Sequence, residues 1–147
     1  MKIRLLTEND IPQCLNLFYL NYESGKYSRI ENELNAMFEE HVWIRPQYYV
    51  VEYEEKVVAF GGYSVAPINA NCYEIYWINV HPDYKKKGIG RKIVTTIIKT
   101  IKNTGNSKAW ITLTCKYHLE HFYKSFGFYI IMETPAKDGY MMALTKF

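Results

Sequence analysis

The segment from Val80 to Lys92, VHPDYKKKGIGRK, constrains this chain more than any other part of it. It joins the end of a strand to the start of a helix through two glycines and a run of lysines. Upstream, Cys72 to Val80 is rich in aromatic and β-branched residues and reads as a strand. Downstream, Ile93, Val94, Ile97, Ile98 and Ile101 fall on one face of a helix, with Arg91, Lys92, Thr95, Lys99 and Lys102 on the other. Gly88 and Gly90 permit turns that a Cβ forbids and let the backbone pass close to a ligand. The N–H groups freed at the helix start have the positive end of the helix dipole behind them. Lys85, Lys86, Lys87 and Arg91 add formal charge, so the physical expectation is a pyrophosphate cradle. A Walker A loop is excluded because GxxxxGK followed by Ser or Thr is absent. A dinucleotide fingerprint is excluded because Ile93 stands where a third glycine is required. The plain alternative is a tight strand-to-helix turn with solvated lysines.

Composition narrows the setting of that loop. With 147 residues, 48% hydrophobic and 22% charged, the chain has the size and apolar content of one domain, 1–147, around a sizeable core. No apolar run approaches the ~18 residues needed to span a bilayer. Met1 to Asp10 lacks the apolar centre of a signal peptide. Cys14, Cys72 and Cys115 are far apart and without CxxC spacing, which argues for reduced thiols in a cytoplasmic protein and against a disulfide framework or zinc site. The net charge of +3 is unevenly divided. Residues 1–60 hold 6 Lys and Arg against 10 Asp and Glu, a net of −4, and residues 61–147 hold 12 against 5, a net of +7. A basic second half suits a polyanion, either nucleic acid or a phosphorylated cofactor.

The remaining pattern alternates strands and helices. Lys2 to Leu6 reads as a strand. Thr7 or Asn9 caps a helix over about 10–22 whose apolar face is Ile11, Leu15, Leu17, Phe18 and Leu20. Ser24-Gly25 breaks it, and a second helix is expected over about 28–41, with Ile30, Leu34, Met37 and Phe38 at helical spacing. Tyr48–Tyr53 and Val57–Val65 read as a hairpin turning at Glu54-Glu55. Gly105 stops the helix after the loop. Ala109–Thr114 is a strand, His118–Phe126 a short helix stopped by Gly127, and Phe128–Met132 and Tyr140–Thr145 are closing strands with a turn near Lys137-Asp138-Gly139. The order β-α-α-β-β-β-α-β-α-β-β predicts an α/β (mixed α+β) fold.

The loop resembles the signature of the GNAT N-acetyltransferases, a strand often ending in Val-His-Pro, then Gln or Arg, two residues, Gly, one residue, and Gly or Ala opening a helix. Lys85-Lys86-Lys87-Gly88-Ile89-Gly90 fills it, with Lys85 at the usual Gln or Arg position. A lysine there offers a point charge rather than a planar fork. Phe122-Tyr123-Lys124-Ser125-Phe126-Gly127-Phe128 is similar to the family's later aromatic motif. The resemblance extends over essentially the whole chain. It implies a central mixed, mostly antiparallel sheet of about six to seven strands flanked by about four helices. It also implies acetyl-CoA or coenzyme A as co-substrate, with the pyrophosphate on Lys85, Lys86, Lys87, Gly88, Ile89, Gly90 and Arg91. The pantetheine arm would pair with Ile78, Asn79 and Val80, in a cleft where that strand splays from the next. An Asn common six residues before the aromatic motif is replaced by Lys116.

Acetyl transfer to an amine needs a neutral nucleophile, a stabilised carbonyl oxygen and a proton for the departing thiolate. Glu74, among the apolar neighbours of Tyr73-Glu74-Ile75-Tyr76-Trp77-Ile78, is the candidate base. Its distance before the loop is similar to that of the strand glutamate in the histone-acetylating branch. Tyr123, a phenol protonated at neutral pH, is the candidate acid, a role the motif's tyrosine has in many members. A half-exposed Glu paired with a lysine, and a packing tyrosine in a chain with 14 of them, are the plainer readings. The resemblance places the oxyanion donor at a strand amide near Val80. Tyr19, Tyr22, Glu23 and Tyr27 surround a region that lines the acceptor site in this family, and Glu31, Glu33, Glu39 and Glu40 are able to draw in a cationic amine. His118 and His121 lack a third ligand nearby, so no metal is expected. The expected activity is N-acetyl transfer to a primary amine of a small molecule or peptide, with no nucleic-acid or membrane partner and a possible homodimer. The alternative is a non-catalytic module that binds acyl-CoA and signals to a partner, which the same loop and strand would serve equally.

Overall fold

The computed structural model describes residues 1–22, 29–67 and 69–147. Among these, seven strands form one sheet: β1 (Lys2–Leu5), β2 (Gln47–Tyr53), β3 (Lys56–Ala66), β4 (Asn69–Val80), β5 (Trp110–Lys116), β6 (Tyr129–Glu133) and β7 (Gly139–Leu144). Their order across the sheet is β1-β2-β3-β4-β5-β7-β6. Every neighbouring pair is antiparallel except β4 and β5. The four helices among the described residues are α1 (Ile11–Asn21), α2 (Ile30–Asn35), α3 (Ile89–Lys102) and α4 (Glu120–Lys124). This is the expected mixed, mostly antiparallel sheet with its flanking helices, in the expected order. No described helix is long and apolar enough to cross a membrane.

Each face of the sheet carries a helical layer, and the strands alternate accordingly. Along β2, Tyr48 and Val50 belong to the core shared with α1 and α2, and Val51 to the core shared with α3. Between them Tyr49 sends its hydroxyl to Thr100 on α3, 3.0 Å away. Successive strand residues point to opposite faces, so a two-layered covering demands this pattern. The helix α3 buries Ile93, Val94, Ile97 and Ile101 completely, as its apolar stripe requires. The β2–β3 turn has Glu54 and Glu55 at φ 48° and 64°, the left-handed pair of a hairpin turn that matches strand twist. Arg4 on β1 grips Asp10 with two bonds of 2.7 and 2.9 Å, tying the first strand to the start of α1.

One helix boundary and one helix face differ from the sequence expectation. The helix α2 ends at Asn35, well short of residue 41. The Asn35 amide donates to the Glu31 carbonyl at 2.9 Å, local bonding of the kind that competes with continued helix, and Arg45 reaches back to the Met37 carbonyl at 2.9 Å. In α1 the buried face is Ile11, Cys14, Leu17 and Phe18, and Leu20 is turned to solvent. The expected break at Ser24-Gly25 lies outside the described residues.

One glycine is required by close strand contact. Gly139 opens β7 opposite Lys116, and a Cβ there would stand 1.8 Å from the Cys115 carbonyl oxygen. Gly139→Ala is expected to push β7 off β5 and to destabilise the chain by about 3 kcal/mol or more. Urea denaturation checks this, through a lowered midpoint at unchanged slope.

Candidate active site

The site is built where β4 loses a neighbour. Along one edge β4 pairs with β3. Along the other it pairs with β5 through only three registers, Cys72–Trp110, Tyr73–Ile111 and Glu74–Thr112. Beyond Glu74 the strands part and leave a cleft of about 330 Å³ whose walls include Ile75, Ile78, Leu113, Cys115 and Tyr123. The unpaired edge of β4 therefore presents backbone groups to that cleft. The His81 N–H donates to Val58 at 2.8 Å, across to β3. In an antiparallel ladder successive residues alternate between edges, so Val80 turns its backbone groups the other way, toward the cleft. Asn79 does not. It is 2% exposed, and its amide donates to the Trp77 carbonyl at 3.1 Å. Asn21, at the end of α1, donates to the Asn79 side chain at 3.2 Å and to the Val80 carbonyl at 3.1 Å.

The cleft edge is shaped by a bulge. Gly62 pairs with Tyr76 and Phe60 with Asn79, so Trp77 and Ile78 together oppose Gly61. Trp77 adopts φ +56°, rare for a bulky side chain. Gly61 leaves the room, since a Cβ there would stand 2.4 Å from the Ile78 side chain.

The phosphate loop follows β4 directly. Lys85 is extended, Lys86 lies at φ +60° and Gly88 at φ +80°, where it caps α3. Left-handed residues interleaved with ordinary ones turn successive N–H groups into one concavity, an anion nest. A Cβ on Gly88 would meet nothing within 4 Å, so the cradle is open. Lys85, Lys86 and Lys87 are exposed around it, with the Lys87 ammonium 5.5 Å from the Tyr84 ring. Ile89 is buried beneath the loop, and Gly90 passes close to Phe122 and Val80. Arg91 stands apart from the lysines. Its guanidinium donates to Ser125 at 2.6 Å and stacks 4.5 Å from the Phe126 ring, joining α3 to the end of α4. The nest, the open space over Gly88 and the amide edge of β4 together fit a pyrophosphate on an extended arm.

Glu74 stands at the apex of the splay. It borders the cleft and also a second cavity of about 400 Å³, which Glu33, Tyr48, Tyr76 and Trp77 help to line. Its carboxyl makes no hydrogen bond or ion pair with any described residue. Partial burial, and then the Glu33 charge, hold its pKa above the ordinary carboxylate value. Tyr123 is 6% exposed at the cleft wall. Burial, followed by Cys115 and Tyr22, pushes its phenol well above the usual range, so it holds its proton at neutral pH. Lys116 borders the cleft and binds Asp138 at 2.6 Å. Tyr22 lines the cleft and stacks on Phe18, whereas Glu23 and Tyr27 lie outside the described residues. Sequence reading missed Asn21 and the conformation of Trp77. Neither carries a local signal, because α1 brings Asn21 to β4 only through tertiary packing.

A strand parted from its neighbour, with a nest of amides at its end, defines a protein that binds an acyl-CoA and transfers its acyl group. The chain belongs to the Acetyltransferase (GNAT) family, whose sequence profile matches residues 12–128, and it is an acyl-CoA-dependent N-acetyltransferase. No curated protein sequence matches it. Among solved structures it is similar to a GNAT-family protein from Desulfovibrio desulfuricans (TM-score 0.82, 16% identity, 98% of each chain covered). It is also similar to an aminoglycoside 6'-N-acetyltransferase complexed with coenzyme A (TM-score 0.78, 20% identity, 99% of this chain and 97% of that one). A third is the ribosomal-protein-S18-alanine N-acetyltransferase of Escherichia coli (TM-score 0.76, 21% identity, 98% and 92%).

The raised pKa of Glu74 has a consequence for stability. A carboxyl that binds its proton more tightly when folded favours the fold at low pH, and that contribution is lost as pH rises through its folded pKa. Glu74→Gln is therefore expected to raise the melting temperature at pH 7. The gain should disappear as pH falls to about 4, where the carboxyl of the folded and the unfolded chain is increasingly protonated. Paired melting curves across that range check it.

Proposed function

We propose that this chain moves an acetyl group from acetyl-CoA directly to a primary amine of a small molecule or peptide, with Glu74 as base and Tyr123 as acid. The observation that carries the reading is the position of Glu74, at the point where the cleft and the second cavity meet. Acetyl-CoA supplies the activated acyl group and a thiolate that can depart. The loop amides from Lys85 to Gly90, with the lysine side chains, hold the phosphates. The edge of β4 at Ile78 and Val80 orients the arm.

The second cavity receives the amine. Its walls set Tyr48, Tyr76 and Trp77 beside Glu33 and Glu74, an environment that suits a cation on an apolar body. Glu74 accepts the proton that the incoming ammonium must lose. Its raised pKa makes it a better base than an ordinary surface carboxylate. Tyr123 holds a hydroxyl proton at the cleft wall, and no carboxylate of the described chain binds that hydroxyl to compete for it.

Two measurements test the reading. Acetyl-CoA or CoA at about 100 times its dissociation constant should stabilise the fold by about 2.7 kcal/mol, a rise of several degrees, whereas ATP should not. Gly88→Val should abolish the rise, because the new side chain enters the open cradle from a backbone conformation it also strains. No rise in the unaltered protein would overturn the cofactor assignment. Tyr123→Phe should lower turnover about 10- to 1,000-fold while the CoA-induced rise persists, since the ring stays and only the proton donor is removed. An unchanged rate, followed by thiol release, would take Tyr123 out of the mechanism.

A further inference from the structure

We infer that Glu33 is a positioning residue which, together with Asn79, clamps Trp77 in its left-handed conformation and so holds the Ile78 N–H toward the cleft. This rests on the acetyl-transfer reading above, and it assigns to α2 a task on β4 that neither motif of the sequence contains.

Trp77 is the point of strain in the bulge. A large side chain at φ +56° persists only where its surroundings over-determine it. Three contacts do so. The indole N–H donates to one carboxylate oxygen of Glu33. The Trp77 carbonyl accepts from the buried amide of Asn79 at 3.1 Å. The indole ring meets Phe18, itself fully buried, edge to face at 5.2 Å. The other Glu33 oxygen is held by Arg29 at 3.2 Å, one helical turn away, so the carboxylate is aimed before it meets the indole. Asn79 in turn is oriented by Asn21 at 3.2 Å. Side chain and carbonyl of Trp77 are thus gripped from opposite ends.

The grip reaches Ile78 through the peptide bond. The Trp77 carbonyl and the Ile78 N–H share one rigid plane and point in opposite directions. Fixing the carbonyl on Asn79 therefore fixes the N–H toward the cleft, whose wall includes Ile78. The bulge also sets register. Pairs on its far side, such as Ser64 with Glu74, are offset relative to Ala59 with Val80. Removing the extra residue would turn one of these segments over, because a one-residue slip moves every side chain to the other face. Glu33 therefore acts on the reaction through Trp77, without touching the reacting atoms.

The test uses Glu33→Ala, Glu33→Gln and Trp77→Phe in the full chain. Glutamine keeps a carbonyl acceptor for the indole, alanine does not, and phenylalanine removes the donor but keeps a ring. Near-ultraviolet circular dichroism of the unliganded protein reads the tryptophan environment, and the carbonyl stretch of bound ¹³C-labelled acetyl-CoA reads the amide that faces it. The expected result is that Glu33→Ala loses part of the tryptophan signal and returns the carbonyl stretch toward its value in free acetyl-CoA. Glu33→Gln should retain both, and Trp77→Phe should reproduce the carbonyl change. The thermal response to CoA should survive in all three, since the phosphate loop is untouched. A carbonyl stretch unchanged in Glu33→Ala and Trp77→Phe would overturn the inference while leaving the acetyl-transfer reading intact. So would a loss in Glu33→Gln as large as in Glu33→Ala, which would assign the effect to charge alone. Absence of any CoA response in the unaltered protein would overturn the reading itself and this inference with it.

Discussion

A β-strand in the middle of a sheet normally satisfies its backbone groups on both edges, and β4 does so only as far as Glu74. From there to Val80 one edge has no partner strand, because β5 diverges after three registers. Buried amides without partners are costly, so such an edge persists where water or a ligand satisfies it. The Asn21 bond to the Val80 carbonyl is a partial answer from within the chain. The remaining groups are what a β-like arm can pair with, and the phosphate nest lies at the end of the same strand. The open edge is thus a consequence of one missing strand contact, and the loop extends it by one turn.

Gly139 lets β7 lie so close to β5 that a methyl group would collide with the Cys115 carbonyl. On the opposite edge Gly61 admits the bulge, and Gly62 admits the Tyr48 ring, which a Cβ would meet at 2.4 Å. Tyr48 is fully buried there, and its hydroxyl finds no hydrogen bond of normal geometry among the described residues. Tyr76 and Glu33 act on it electrostatically and, after burial, raise its pKa further. The floor of the second cavity is therefore built for shape at some cost in polar satisfaction.

Much of this was legible in the sequence, for identifiable reasons. The loop is local chemistry, two glycines and three lysines between a strand and a helix, and α3 declares itself by the spacing of its isoleucines. Glu54-Glu55 sits between two alternating runs, so the hairpin follows. What stayed hidden depends on φ or on distance. Periodicity marks which face a residue takes, not that Trp77 is left-handed, and no pattern links Asn21 or Glu33 to β4. Arg91 follows the loop directly in sequence, and no motif announces that a helix turn also carries it onto Ser125 and Phe126. By its type Leu20 belongs on the apolar face of α1. Its angular position decides otherwise, since Leu17 and Phe18 already face the sheet.

Structures of closely similar fold include an aminoglycoside 6'-N-acetyltransferase and a ribosomal-protein-S18-alanine N-acetyltransferase, acceptors of very different size. The fold therefore does not select the amine. In this chain the loop and the edge of β4 are backbone features that tolerate many side chains. The second cavity is bounded instead by side chains from α2, from the stretch before β2, from β2, from the end of β3 and from β4. Arg29, Glu74, Tyr76 and Trp77 border both that cavity and the cleft. Glu33 lines the second cavity and also binds the Trp77 indole, so a change there would also disturb the bulge. The two spaces thus share part of one wall along β4, and Glu33 links α2 to that wall.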